Sequence, residues 1–358
     1  MKVIIAGGGT GGHLFPGIAV AEEFLRRDRT SSILFVGTKK GLEATVLGES
    51  GFHLQTLDVE GIKGKGFAKA ISALLKIPRS LIESYGLIHT FAPDIVVGIG
   101  GYASGPAVLT AHLMGIRTVI TEQNALPGIT NRILGRFVDR IFLTFPETGR
   151  SFPKKKIIIS GNPVRAAFFT ETRKAENKRD TFTLLIFGGS QGARSINAAV
   201  IDALPYLKKI KDGLKIMHQT GSADLDPISL SYRSHGMDAE VLPFIMDMAA
   251  AFRSADLVVC RAGATSIAEI TASGKASILI PFPHAADDHQ TKNAEALVKA
   301  AAAVMVREKD LSGKMLAETI ERFYQHPEMI KEMEARSASL GNVRAAADIV
   351  DACLDLLT

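Results

Sequence analysis

Cysteine is nearly missing: Cys260 and Cys353 are the only two in 358 residues. That excludes a disulfide framework and fits a reducing compartment. No CxxC or HExxH spacing occurs, so no metal site is expected. Aromatic residues make up only 6% and dense arginine patches are absent, which argues against a nucleic-acid partner. No apolar run is both long enough and unbroken enough to span a bilayer. Residues 95–116, IVVGIGGYASGPAVLTAHLMGI, carry no Asp, Glu, Lys or Arg, but Gly98, Gly100, Gly101, Gly105 and Pro106 interrupt them. They read as a buried strand, a glycine loop and a buried helix. The amino-terminal run imitates a secretory signal, yet glycines break it and its helix continues into Glu22 and Glu23.

What is present is an ordinary globular composition, 46% apolar and 22% charged, over a length that predicts two domains. Apolar strands alternate with helical stretches from end to end, the pattern of doubly wound parallel α/β sheets. In the first half the strands are expected at 3–7, 32–37, 95–100, 118–122, 140–145 and 154–159. Helices are expected near 16–27, 42–50, 68–91, 104–114 and 128–136. The charged stretch 160–180, with its Asn-Pro step, is the linker candidate. The pattern then restarts at TLLIFGGSQGARSINAAVIDAL, with further strands at 215–221, 239–244, 257–263 and 276–282 and a final helical segment at about 328–357. The expected organisation is a first Rossmann-like domain over 1–160, joined by a helix at 341–358, and a second over 161–340.

Three glycine loops stand at expected strand ends. Gly7, Gly9 and Gly12 satisfy GxGxxG between a strand and a helix, a setting that offers an anion close backbone approach and free N–H groups. An NAD site also needs an acid at the end of the second strand, where this chain has Thr38-Lys39-Lys40, so NAD is disfavoured. The second loop, 188–192, is not a Walker loop, and the third, 100–105, adds to the first domain. One anion site per domain points to a reaction between two phosphorylated molecules. RAGATSIAEI, at 261–270, opens a further helix, whose Glu269 suits two ribose hydroxyls or complements the helix dipole. His284, Asp287, Asp288, His289, Gln290 and Asn293 follow a strand and could grip a sugar or cap a helix.

Residues 61–85 hold Lys63, Lys65, Lys69, Lys76 and Arg79 against one acid, Glu83, interleaved with apolar residues. Two readings fit: an anionic membrane surface, or a helix with its apolar face in the core and its lysines in water.

Taken in order, GGGTGGHLFPGIAVA, GGYASGPAVLTAHLMGI, TEQNALPGITNR, SGNPVR, FGGSQGARSIN, HQTG, RAGATSIAEI and PFPHAADDHQTKNA resemble the MurG family of peptidoglycan glycosyltransferases over most of the chain. The resemblance implies the GT-B fold, two Rossmann-like doubly wound domains facing a cleft. It implies transfer of N-acetylglucosamine from UDP-N-acetylglucosamine to undecaprenyl-linked lipid I, with no cofactor, at the cytoplasmic face of the bacterial inner membrane. Cell-wall assembly proteins would be its neighbours. Arg165 and Ser190 would contact the nucleotide, and the Ile245 backbone would read the uracil edge. Ala264, Thr265, Ser266, Ile267, Ala268 and Glu269 would hold diphosphate and ribose, and Gln290 the sugar hydroxyls. Thr10, Gly11, Gly12 and Asn124 would reach the sugar or the acceptor. Gly8, Gly9, Gly100, Gly101 and Tyr102 would face the acceptor. His13 is the candidate general base, with Glu122 as the alternate. One departure is His289-Gln290 where some relatives carry Gln-Gln. Rival readings are a transferase with another lipid acceptor, such as diacylglycerol, a nucleotide-cofactor oxidoreductase, and a non-catalytic sensor of UDP-sugar.

Overall fold

Strands of a parallel sheet covered on both faces are apolar without alternation, and VIIAG and IVVGIG are buried along their whole length. The structure, a computed structural model, describes residues 1–38, 43–59, 67–169, 181–285 and 288–358, apart from the side chains of 45 and 67–77. The described residues form two compact units, Met1–Arg165 with Val343–Thr358, and Ala166–Asn342.

The first unit contains β1 (Lys2–Gly7), α1 (Gly11–Arg27), β2 (Ser32–Thr38), α2 (Glu43–Glu49), β3 (His53–Leu57), α3 (Phe67–Phe91) and β4 (Ile95–Gly100). It continues with α4 (Ser104–Leu113), β5 (Arg117–Glu122), α5 (Ile129–Leu134), β6 (Arg140–Leu143) and β7 (Ile157–Ile159). Its seven strands run parallel in the order β3-β2-β1-β4-β5-β6-β7. The second unit contains β8 (Phe182–Phe187), α6 (Arg194–Leu207), β9 (Leu214–Gln219), α7 (Leu225–Ser234), β10 (Asp238–Leu242), α8 (Met248–Ser254) and β11 (Leu257–Cys260). After these come α9 (Ala264–Ala272), β12 (Ala276–Leu279), α10 (His289–Lys299), β13 (Val304–Met305), α11 (Gly313–Gln325) and α12 (Pro327–Ser339). Its sheet, also parallel, is ordered β10-β9-β8-β11-β12-β13.

Both sheets therefore reverse winding direction beside their first strand, between β1 and β4 and between β8 and β11. Ligands of open α/β sheets bind outside strand carboxyl ends at such points. Three of the glycine segments singled out above lie there.

Three sequence expectations are corrected. The first helix starts at Gly11, not 16, because its opening turn is the glycine loop itself. The helical stretch expected at 328–357 is two helices, α12 and α13 (Ala345–Asp355), interrupted over 340–344. The last, α13, packs on α1, with Arg27 paired to Asp351 at 2.6 Å. Strands β3 and β13 were not expected, both lying at sheet edges where exposure dilutes the apolar run.

Candidate active site

In the first unit the chain leaves β1 through Gly7, Gly8 and Gly9, whose φ angles are 144°, 128° and 88°. Only glycine takes these without strain. A Cβ on Gly7 would run into the Gly100 carbonyl oxygen, and one on Gly101 into the Gly8 carbonyl. The first and third loops are thus locked backbone to backbone, and Gly8 N donates to Gly100 O at 3.2 Å. Gly9 N donates to the buried Glu43 carboxylate at 2.6 Å. Two N–H groups expected to face the acceptor are therefore engaged within the protein. Thr10 stands at the N-cap of α1 but makes no capping bond, and its side of the loop is exposed.

His13 lies on the first turn of α1, half-buried beneath Gly100, where a Cβ would strike its ring. Its Nδ1 is 3.1 Å from Gln123 Oε1. The Gln123 amide nitrogen donates to Thr121 Oγ1 at 2.8 Å and to Ile99 O at 3.4 Å, which turns the amide oxygen toward the histidine. Nδ1 must then be the donor, and in the neutral ring this leaves the lone pair on Nε2. Glu122 is used differently. Asn124 N, Asn124 Nδ2, Gly128 N and Asn131 Nδ2 all donate to its carboxylate, at 2.9–3.2 Å. With four donors on its two oxygens, it braces the 124–131 segment. Asn124 turns its NH2 inward to Glu122 in the same contact. Tyr102 is exposed beside Gly101. Arg165 ends the unit, its guanidinium 4.6 Å from the ring centroid of Phe15 on α1.

In the second unit the 188–192 loop follows β8, with Gly189 and Gly192 at φ 101° and 76°. A Cβ on Gly192 would strike the Thr220 carbonyl, so the loop rests on the chain leaving β9. Buried Gln219 links two expected contacts: its Nε2 donates to Gly189 O at 2.8 Å, and its Oε1 accepts from Ile245 N at 2.7 Å. The Ile245 N–H is therefore taken, and the carbonyl is the group left to read a base. Ser190 is half-buried on the same loop. Gly263 starts α9, so Ala264, Thr265, Ser266, Ile267 and Ala268 form its first turns, and Glu269 is buried one turn on. Burial, then the Glu269 charge, push the Cys260 thiol far up, so it is inert. His218 sits buried between Tyr232 OH and Asn197 Oδ1, and desolvation pushes it down to about 3, so it is a neutral packing residue.

Gln290, on the first turn of α10, accepts at Oε1 from Phe282 N at 3.0 Å, which leaves its NH2 to face outward. The sequence grouped Asn293 with the outward polar set, but it is buried and donates to Ala262 O at 3.0 Å. Asp288 accepts from Thr291 at 2.6 Å, and Asp287 lies outside the described residues. Gln123, Glu43, Gln219 and Arg261 are site residues that sequence reasoning did not assign.

The glycosyltransferase family 28 N-terminal domain matches residues 3–143 and the family's C-terminal domain matches 183–351. The chain is 60% identical over 357 residues to a protein of Syntrophus aciditrophicus named UDP-N-acetylglucosamine–N-acetylmuramyl-(pentapeptide) pyrophosphoryl-undecaprenol N-acetylglucosamine transferase, covering 100% of this chain and 99% of that one. A protein of the same name from Myxococcus xanthus is 50% identical, over 100% and 93% of the two chains. Among solved structures, Acinetobacter baumannii MurG superposes with a TM-score of 0.73 at 30% identity, covering 98% of each chain. A UDP-GlcNAc 2-epimerase from Neisseria meningitidis, at 0.69 and 16% identity over 99% and 100% of the chains, shares the fold alone.

Proposed function

Because the chain belongs to glycosyltransferase family 28, and within it to the MurG transferases, we infer how its own residues carry that family's reaction. The enzyme has the GT-B fold. It transfers N-acetylglucosamine from UDP-N-acetylglucosamine to the 4-hydroxyl of the muramoyl sugar of lipid I, giving lipid II for peptidoglycan, and so serves cell shape and division.

His13 Nε2 is the general base. It takes the proton of the acceptor hydroxyl as that oxygen attacks the anomeric carbon, and the bond from that carbon to the UDP oxygen breaks with inversion. The reading is supported by one observation above all, the Nδ1 contact with Gln123, which sets the tautomer such a base requires. Glu122 holds the 124–131 segment, not a proton in flight. The amino end of α9, with backbone N–H groups and partial positive charge, stabilises the departing diphosphate. Glu269 takes the ribose hydroxyls, the Ile245 carbonyl takes the uracil N–H, and the Gln290 NH2 meets the sugar. Ser190 and Arg165 are assigned to the nucleotide. Thr10, Gly11, Gly12 and Tyr102 are assigned to sugar and acceptor, and Asn124 to the same role through its amide oxygen, since its NH2 is held by Glu122. Gly8, Gly9, Gly100 and Gly101 act there by shape.

The enzyme works peripherally on the anionic cytoplasmic face of the inner membrane, beside other cell-wall assembly proteins. Among the described residues no helix is long and apolar enough to cross a membrane. Of the 61–85 stretch, 61–66 and the side chains through Ile77 lie outside the described residues. From Pro78 onward, Ser80, Ser84 and Ile88 face inward, while Ile82 and Tyr85 are 73% and 54% exposed. Ile82 and Tyr85 are thus turned outward there, while Leu87, Ile88 and Phe91 pack on the core. On α5 and just beyond it Ile129, Ile133 and Phe137 are exposed, with Arg132 and Arg136 exposed between them. This mixture suits an anionic bilayer.

The test supplies labelled UDP-N-acetylglucosamine with a short-chain lipid I analogue or with diacylglycerol. Disaccharide product from the first alone is expected. No product from either, with UDP still bound, would refute the acceptor assignment and leave the donor site standing.

A further inference from the structure

Arg261 is the first residue beyond β11, and its side chain is only 10% exposed. Its Nη1 donates to the carbonyls of Ile280 and Pro281, at 3.2 and 3.1 Å, on the chain leaving β12. Its Nη2 donates to Ser195 Oγ at 2.8 Å on α6. Glu308 pairs with the guanidinium and accepts from the same Ser195 hydroxyl at 2.9 Å. The guanidinium also lies 5.2 Å from the centroid of the Phe282 ring. A planar fork with five donors can satisfy this set at once, and a lysine cannot.

The segment so held is the one whose next N–H, that of Phe282, orients the Gln290 amide. Asn293 closes the circuit by tying α10 back to Ala262, the neighbour of Arg261. The pair joins a buried guanidinium to a carboxylate that is 26% exposed, and such a pair is weak support for stability, so its presence asks for another reason. We propose that Arg261 is the positioning residue for donor-sugar selectivity: it fixes the 280–282 segment, which fixes which group Gln290 presents to the sugar. The inference rests on Gln290 reading the sugar. It assigns Arg261 no contact with substrate.

The test measures kcat/KM with UDP-N-acetylglucosamine and with its C4 epimer UDP-N-acetylgalactosamine, together with the Kd of UDP and the Tm. Variants are Arg261→Lys, Ser195→Ala and Gln290→Glu. Arg261→Lys is expected to lower the selectivity ratio about tenfold, the scale of one misplaced hydrogen bond, while UDP Kd stays within about twofold. Ser195→Ala is expected to lower the ratio less and covers the case in which Arg261→Lys fails to fold. A ratio unchanged in both variants, or falling in step with UDP affinity, overturns the proposal. Gln290→Glu separates the two failures. If it shifts the ratio and the Arg261 and Ser195 variants do not, the positioning role alone is wrong. If it leaves the ratio unchanged, the sugar-reading assignment falls as well.

Discussion

A double-mutant cycle tests whether Gln123 sets the tautomer of His13. His13→Ala removes the base and should lower kcat about 10²–10⁴-fold, the range for one positioned proton acceptor. Gln123→Met keeps length and removes the acceptor on Nδ1. A single hydrogen bond of about 0.5–1.5 kcal/mol then predicts a kcat loss of about 2- to 13-fold. The same change leaves Thr121 Oγ1 and Ile99 O without the amide donor, so Tm must be recorded for each variant. If Gln123 acts through the imidazole, adding Gln123→Met to His13→Ala should cost nothing further in kcat, because the orienting bond has nothing left to orient. The assay is single-turnover transfer to a soluble lipid I analogue at saturating donor. Fully multiplicative losses would show that Gln123 does not act through the imidazole, and a His13→Ala enzyme with near-normal turnover would remove His13 from the reaction.

Gly101→Ala should destabilise the first unit by more than about 1 kcal/mol, since a φ of 82° and a collision with Gly8 O add together; a urea midpoint equal to the parent's would contradict the interlocked loops. Gln219→Met should weaken UDP binding by freeing the 188–192 loop from Ile245, with a cost of about 1–3 kcal/mol for the buried groups left unpaired; calorimetry showing an unchanged Kd would count against it. The Arg26 hydrogen bond, with help from Arg27, holds the Glu23 carboxyl below the ordinary 4.5 against its burial. A depressed carboxyl contributes its stability above the unfolded value and loses it as pH falls through the folded one. The urea-midpoint advantage of the parent over Glu23→Gln should thus be full above pH 4.5 and vanish in more acid solution.

The sheet centres were legible because β1, β4, β8 and β11 are apolar on both faces and each leads into a glycine-containing loop. The edge strand β3, HLQTL, is largely open to water and carries no such run. The break before α13 did have a written signal, Gly341-Asn342, a helix-ending pair. At the site, the loops and His13 could be read because glycine and histidine have few substitutes there. Gln123 reaches His13 across 110 residues of chain, and Glu43 reaches Gly9 across 34. Such partners have no local pattern, because only the winding of the sheet brings them together. The same holds for Arg261, whose neighbours come from α6, β12 and the turn at Glu308.

The return of α13 to the first unit has a consequence for synthesis. Its buried Ile349, Val350 and Cys353 complete a surface begun by α1, yet they are translated after the whole of the second unit. At about 5–20 residues per second, the ribosome delivers that covering helix about 10–40 s after Arg165. During this interval the second unit can fold to completion while the first, though older, keeps an uncovered apolar strip. The older half of the nascent chain is therefore the last to finish, and the one a chaperone would have most reason to hold.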